Sequence, residues 1–167
     1  STNKLEKDTM HSRVLDYLRS KNSNSWGWIV HRLDKDTSGI MIFAKNEEVK
    51  LALQEQFSRN IVKRIYVAIV DGEPYNEIGK IENYIAEGKN LIVRECKKSV
   101  KGARKAITNW KIIKSKKSHA LLEILIETGR RNQIRVHMAG IKSPVSGDKK
   151  YGSVTDPLKR LCLHAES

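Results

Sequence analysis

Cysteine is the first thing this 167-residue chain is short of, with only Cys96 and Cys162. The two have no C-x-x-C spacing, and the lone Cys162/His164 pair is a weak pattern for zinc. Such usage in a lysine-rich chain points to a reducing compartment. Long apolar runs are also missing. Nothing approaches the ~20 residues of a membrane-spanning helix, and the N-terminus lacks the apolar stretch of a signal peptide. The expectation is a cytoplasmic protein that does not contact membranes. Repeats, linkers and low-complexity segments are likewise absent. Acidic residues are the last shortage: 19 Asp and Glu face 32 Lys and Arg, for a formal charge of +13. An excess that large on one small body predicts a polyanionic partner.

What is present describes a folded domain. Hydrophobic residues make up 39% and charged residues 31%, which is the balance of a globular chain with a core of its own. The charge is uneven: residues 89–117 hold eleven Lys or Arg against the single acid Glu95, or +10 of the total. A basic arm interrupted by Trp110 suits a phosphate backbone.

Residues 1–12 are polar and expected to be poorly ordered. Val14, Leu15 and Leu18 predict a helix over about 12–20. Strands are expected at 26–30 and 39–45. Asn46, followed by Glu47 and Glu48, then reads as the cap of a helix carrying Val49, Leu53 and Phe57 to about Arg59. A period of two from Ile61 to Val70 predicts a strand closed by Asp71-Gly72, with further strands near 79–85, 90–95, 104–113 and 119–127. After Thr128-Gly129, Ile134, Met138 and Ile141 predict a helix, with Pro144 and Gly147 in the following loop. Strands dominate, so the fold class is α+β on a mostly antiparallel sheet.

Three places concentrate chemistry. His31-Arg32-Leu33-Asp34-Lys35-Asp36-Thr37-Ser38-Gly39 is a polar knot between two apolar runs, where a rigid scaffold could hold a carboxylate among cations. It does not fit a kinase catalytic loop, because Leu33 intervenes and no glycine-rich loop exists. A metal nuclease assembled from His31, Asp34, Asp36, His137 and Asp148 lacks tight ligand spacing. The second place is Gly129-Arg130-Arg131-Asn132-Gln133-Ile134-Arg135-Val136-His137, with Arg131 and Arg135 on one face of the expected helix. It reads either as a solvated, RNA-facing surface or as the donor of one Arg to a carboxylate elsewhere. The third is Tyr66, mid-strand, which by itself reads as sheet packing.

Taken together, four segments resemble the RluA-type pseudouridine synthases. HRLDKDTSGIMIFAKN resembles their catalytic motif, RIYVAIVDG their tyrosine strand, LIETGRRNQIRVHMAGIKSPVSGDKKYG their arginine motif and RLCLHA their closing segment. All four stand in the family's order. The resemblance implies that Asp34 is the aspartate that attacks the target uridine. Tyr66 stacks on the base, Arg135 pairs with the catalytic carboxylate, and Arg32 inserts where the uridine flips out. Arg130, Arg131, Lys97, Lys98 and Lys101 are expected to contact RNA. No metal or organic cofactor is implied. The implied fold is a long, bent, mainly antiparallel sheet with peripheral helices and a central basic cleft. The implied partner is large-subunit ribosomal RNA or transfer RNA, met by a monomer.

The chain also departs from the family. Asn132 and Ser143 stand where relatives usually carry His, which implies retained chemistry but altered RNA contacts near the arginine helix. The family's first strand and its C-terminal end have no counterpart, so 1–167 is expected to be a single, truncated catalytic domain. The alternatives are a non-catalytic RNA-binding domain or an inactive divergent member. The first is disfavoured because a pure binder has no need of an acid in its basic surface.

Overall fold

A computed structural model describes residues 8–167. In chain order its elements are α1 (Met10–Lys21), β1 (Trp28–Ile29), β2 (Ser38–Gly39), β3 (Phe43–Ala44), α2 (Glu47–Ser58), β4 (Arg64–Asp71), β5 (Ile78–Glu87), β6 (Val93–Cys96), β7 (Arg104–Lys116), β8 (His119–Ile126), α3 (Gln133–Gly140), a 3-10 turn (Lys149–Tyr151) and β9 (Leu163–Ala165). They fall into two compact units. One comprises the described residues up to Lys35 with Met41–Val62, the other Asp36–Ile40 with Lys63–Ser167.

The expectation of disorder over residues 1–12 lies outside the described residues for positions 1–7. From Thr9 onward it is corrected. Thr9 Oγ1 accepts from the Ser12 N–H at 3.0 Å while Ser12 Oγ accepts from the Thr9 N–H at 2.9 Å, a reciprocal cap that starts α1 at Met10. Val14, Leu15 and Leu18 close over the buried Gly27, where a Cβ would lie 3.1 Å from Val14. In the same unit Asn46 Oδ1 accepts from the Val49 N–H at 2.8 Å and starts α2, as its sequence predicts.

The long strands expected at 26–30 and 39–45 shrink to a two-residue antiparallel pair, Trp28 opposite Ala44 and Ile29 opposite Phe43. The physical reason is that the second run serves several partners. Ser38 and Gly39 pair with β9, the Ile40 N–H donates to the Ala165 carbonyl, and the Ile42 N–H goes to the His31 ring.

The larger unit is one seven-stranded sheet in the order β2-β9-β4-β8-β7-β5-β6, antiparallel throughout except for β2 beside β9. β8 lies between β4 and β7, and its alternation is reproduced: Ala120, Leu122, Ile124 and Ile126 are buried. Ile134 and Met138 of α3, with Val145, Leu161 and Leu163, join them in the main core. Burying a Leu122 or Ile124 side chain contributes about 1.5–3 kcal/mol each. Trp110 belongs to this core, 7% exposed, with its ring over Gly79 on β5 where any side chain would collide. It does not interleave a basic RNA-binding arm, contrary to expectation.

β7 also divides that arm. It is 13 residues long, about 40 Å at strand rise, so Arg104 and Lys105 stand at one end and Lys114 and Lys116 at the other. Lys97, Lys98 and Lys101 are exposed in the β6–β7 turn, and Lys117 lies in the β7–β8 turn. A run continuous in sequence becomes two separate basic ends.

Candidate active site

The polar knot is shared between the two units, His31–Lys35 with the first and Asp36–Ile40 with the second. In the first unit its entrance is fixed from α2. The His31 ring stacks on Phe57 with centroids 4.8 Å apart, and its Nε2 accepts from the Ile42 N–H at 3.0 Å. Gln54 Nε2 donates to the Ile29 and Val30 carbonyls just ahead of it. From this anchored base Arg32 extends exposed, while Leu33 and Asp34 are half-buried. Asp36 is exposed.

The exit of the knot is a strand rather than a simple turn. Gly39 has φ +123°, and a Cβ there would overlap the Ala165 backbone. Only glycine permits this close approach. Ser38 Oγ lies 2.9 Å from His164 Nδ1 and accepts from Arg160 Nη1 at 3.0 Å. The catalytic-motif and closing-motif segments therefore meet through β2 and β9.

β9 in turn pairs with β4, setting Ala165 opposite Tyr66 on one side while Ile124 of β8 stands opposite on the other. Tyr66 shares the face of Ala68 and Val70 and is partly buried against the main core. Its neighbour Arg64 donates Nη2 to the Glu127 carbonyl at 3.1 Å. Burial lowers the Arg64 pKa.

The arginine motif differs most from its sequence reading. The helix begins at Gln133, because Asn132 takes a left-handed backbone with φ 53°. Arg131 therefore precedes the helix and shares no helical face with Arg135. It reaches Glu87 at 2.7 Å and stays exposed, while Arg130 Nε donates to the Lys105 carbonyl at 3.1 Å. Arg135 turns inward, 8% exposed. Its Nε and Nη2 donate to the two oxygens of Asp148 at 2.6 and 2.8 Å, a bidentate pair, and Nη1 donates to Asn132 Oδ1 at 3.2 Å.

A buried network seats the start of α3 on β7. Gln133 Nε2 donates to Thr108 Oγ1 and the Ile107 carbonyl, and its Oε1 accepts from Thr128 and from the Arg130 N–H. His137 lies between Thr108 Oγ1 at 2.8 Å and Asn83 Oδ1 at 2.9 Å. Burial pushes its pKa down to about 4, so the ring is neutral at neutral pH. His137 and Asp148 are thus engaged in the fold. Among the described residues no three His, Cys, Asp or Glu side chains cluster so as to hold a metal ion.

Residues 2–140 match the sequence profile of the RNA pseudouridylate synthases. The chain belongs to that family. It is 38% identical over 138 residues to an uncharacterized RNA pseudouridine synthase of Bacillus subtilis, covering 81% of this chain and 45% of that protein. It is equally 38% identical, over 156 residues, to the ribosomal large subunit pseudouridine synthase D of Xanthomonas campestris, covering 83% and 45%. This chain thus spans about half the length of the curated relatives it matches. The solved human RNA Pseudouridylate Synthase Domain Containing 4 superposes with TM-score 0.82 over 96% of this chain and 74% of that one, at 24% identity. That likeness establishes the pseudouridine synthase fold.

With the family in place, two carboxylates emerge that sequence reasoning undervalued. Asp148 figured only in the unsupported metal set, and Asp71 only as part of a turn. Asp71 Oδ1 accepts from Ser146 Oγ at 2.7 Å and Thr155 Oγ1 at 2.5 Å; Oδ2 accepts from Ser153 Oγ at 2.8 Å and the Val154 N–H at 2.9 Å. Burial alone would raise this carboxyl, but the combined donors bring it down to about 2. Separations of 75–84 residues left no sequence signal for these contacts.

Proposed function

We propose that this chain is the catalytic domain of an enzyme that isomerises uridine to pseudouridine in structured RNA, with large-subunit ribosomal RNA the first candidate substrate and transfer RNA the second. The observation that carries this reading is the interlocking of the motif segments. β2 pairs with β9, β9 with β4, and Asp71 at the end of β4 binds the segment that follows the arginine helix. Such mutual dependence supports a common task for residues far apart in sequence.

In this reading Asp34 reacts at the uridine sugar. The N1–C1′ bond breaks, the uracil turns, and a C5–C1′ bond forms; the C5 proton departs and N1 ends protonated. The carboxylate must be ionised to act, and desolvation by bound RNA would oppose that. A guanidinium from Arg135 offsets the cost and fixes the carboxylate's orientation. The target base cannot react inside a stack, so it flips out, with Arg32 occupying the vacated space and Tyr66 offering a π-face. Arg130, Arg131, Lys97, Lys98 and Lys101 contact phosphates. The chemistry as written calls for neither metal nor organic cofactor, and the protein acts as a cytoplasmic monomer. Among the described residues no helix is long and apolar enough to cross a membrane.

The test is tritium release from RNA labelled at uridine C5. The chain should release tritium, and Asp34→Asn should abolish release while RNA binding persists. Undiminished turnover by Asp34→Asn would overturn the assignment.

A further inference from the structure

Arg135 is enclosed on three sides. Asp148, 2% exposed, holds the Nε/Nη2 edge, and Asn132, 5% exposed, receives Nη1. The guanidinium carbon Cζ lies over the Tyr151 ring, 5.0 Å from its centroid. The enclosure is itself tied together. Asn132 Nδ2 donates to Tyr151 Oη at 3.0 Å, and the same oxygen accepts from the Val93 N–H at 3.2 Å. The amide orientation of Asn132 follows from chemistry, because a guanidinium only donates and so must face Oδ1. The left-handed backbone at Asn132 is one that Asn adopts more readily than most residues. It places the amide, buried, against the arginine.

From this arrangement we infer that Asn132, Asp148 and Tyr151 are positioning residues that preset the Arg135 guanidinium before RNA arrives. The inference rests on the reading of Arg135 as partner of the reacting carboxylate. A long, flexible arginine would otherwise lose rotamer entropy at each encounter, and a displacement of about 1 Å at a reacting centre can cost about 100-fold in rate. Here the bidentate carboxylate fixes the fork in its plane and the tyrosine fixes the plane. Asn132 links the two. The departure from the family's usual His at this position thus bears on the arginine's support.

Steady-state kinetics of tritium release by the full chain test this, alongside thermal unfolding of each variant. Asp148→Asn should lower kcat about 100-fold, and Asn132→Ala and Tyr151→Phe each about 10-fold, with KM for RNA within about twofold of the parent. Asp148→Asn removes half of a buried ion pair and can also unfold the chain. Asn132→Ala and Tyr151→Phe remove no charge and decide the matter in that case. Unchanged kcat in both, with Arg135→Ala inactive, would overturn the positioning role and leave the Arg135 reading intact. Losses confined to KM would also overturn it, by making these residues contributors to RNA affinity. Parent-level turnover by Arg135→Ala would instead remove the reading of Arg135, and the positioning inference with it.

Discussion

Asp71 and Asp148 are both buried carboxylates, and both involve the same stretch of chain: Asp148 belongs to it and Asp71 binds it through Ser146, Ser153, Val154 and Thr155. Their partners differ in kind. Asp71 is satisfied by three hydroxyls and two backbone amides, whereas Asp148 is satisfied by a guanidinium. A ring of neutral donors can do little but hold a carboxylate, and by holding it they fasten residues 146–155 to the end of β4. A carboxylate that holds a guanidinium fixes the place of a second charge. Burial and hydrogen bonding alone do not separate a structural acid from one that serves a reaction. In the proposed reading the charge of the partner does.

The sharpest way to break this comparison is Asp71→Ala. It strands several buried donors, so unfolding free energy should fall by about 3–5 kcal/mol in urea titrations. Turnover measured well below the unfolding transition should stay within a few-fold of the parent, the reverse of Asp148→Asn. A stable but inactive Asp71→Ala would erase the distinction between the two acids.

Acid unfolding separates two further groups. His137 has its pKa depressed from 6.5 to about 4, so the unfolded chain binds that proton first as pH falls. Its contribution is complete above pH 6.5 and is lost towards pH 4, about 3 kcal/mol in all. Asp71, depressed from 3.8 to about 2, contributes fully above pH 3.8 and loses about 2.5 kcal/mol as pH falls through 2. His137→Gln should flatten stability between pH 6.5 and 4 while leaving the steeper loss below pH 4. A variant with the parent's slope in the upper window would show that another group titrates there.

Gly39→Ala should cost about 1–3 kcal/mol, since it combines a strained φ with a collision against Ala165. Thermal unfolding measures it, and a neutral substitution would mean that β2 does not depend on this close approach. The smallest effect on stability is expected at the two basic ends of β7. Replacing Lys97, Lys98 and Lys101 with Ala should reduce the slope of log affinity against log salt by up to about 2–3, with little change in unfolding. The same triple change at Lys114, Lys116 and Lys117 should alter the slope by less than about 1. Equal effects would mean that RNA engages both ends.

Much of this was written in local sequence. The period-two pattern of β4 and β8, the Asn46 cap of α2 and the order of the four motif segments need only neighbouring residues, because side-chain alternation and capping act over a few positions. The same locality explains the failures. Residues 39–45 read as one strand because their hydrophobicity is continuous, but their backbone donors go to β9 and to His31. Trp110 read as part of a basic arm because lysines surround it in sequence, while the pleat turns it into the core. Arg131 and Arg135 read as one helical face until the left-handed turn at Asn132 moved the helix start past Arg131.

The sequence by itself determined the fold class, the family and the residue types available for chemistry. The tertiary structure decided what each charge is held by. Arg135 against Asp148, Asn132 and Tyr151, and Asp71 against three hydroxyls, depend on packing between segments distant along the chain. Partner choice of that kind is set by desolvation and geometry at a contact, and neither exists until the chain has folded.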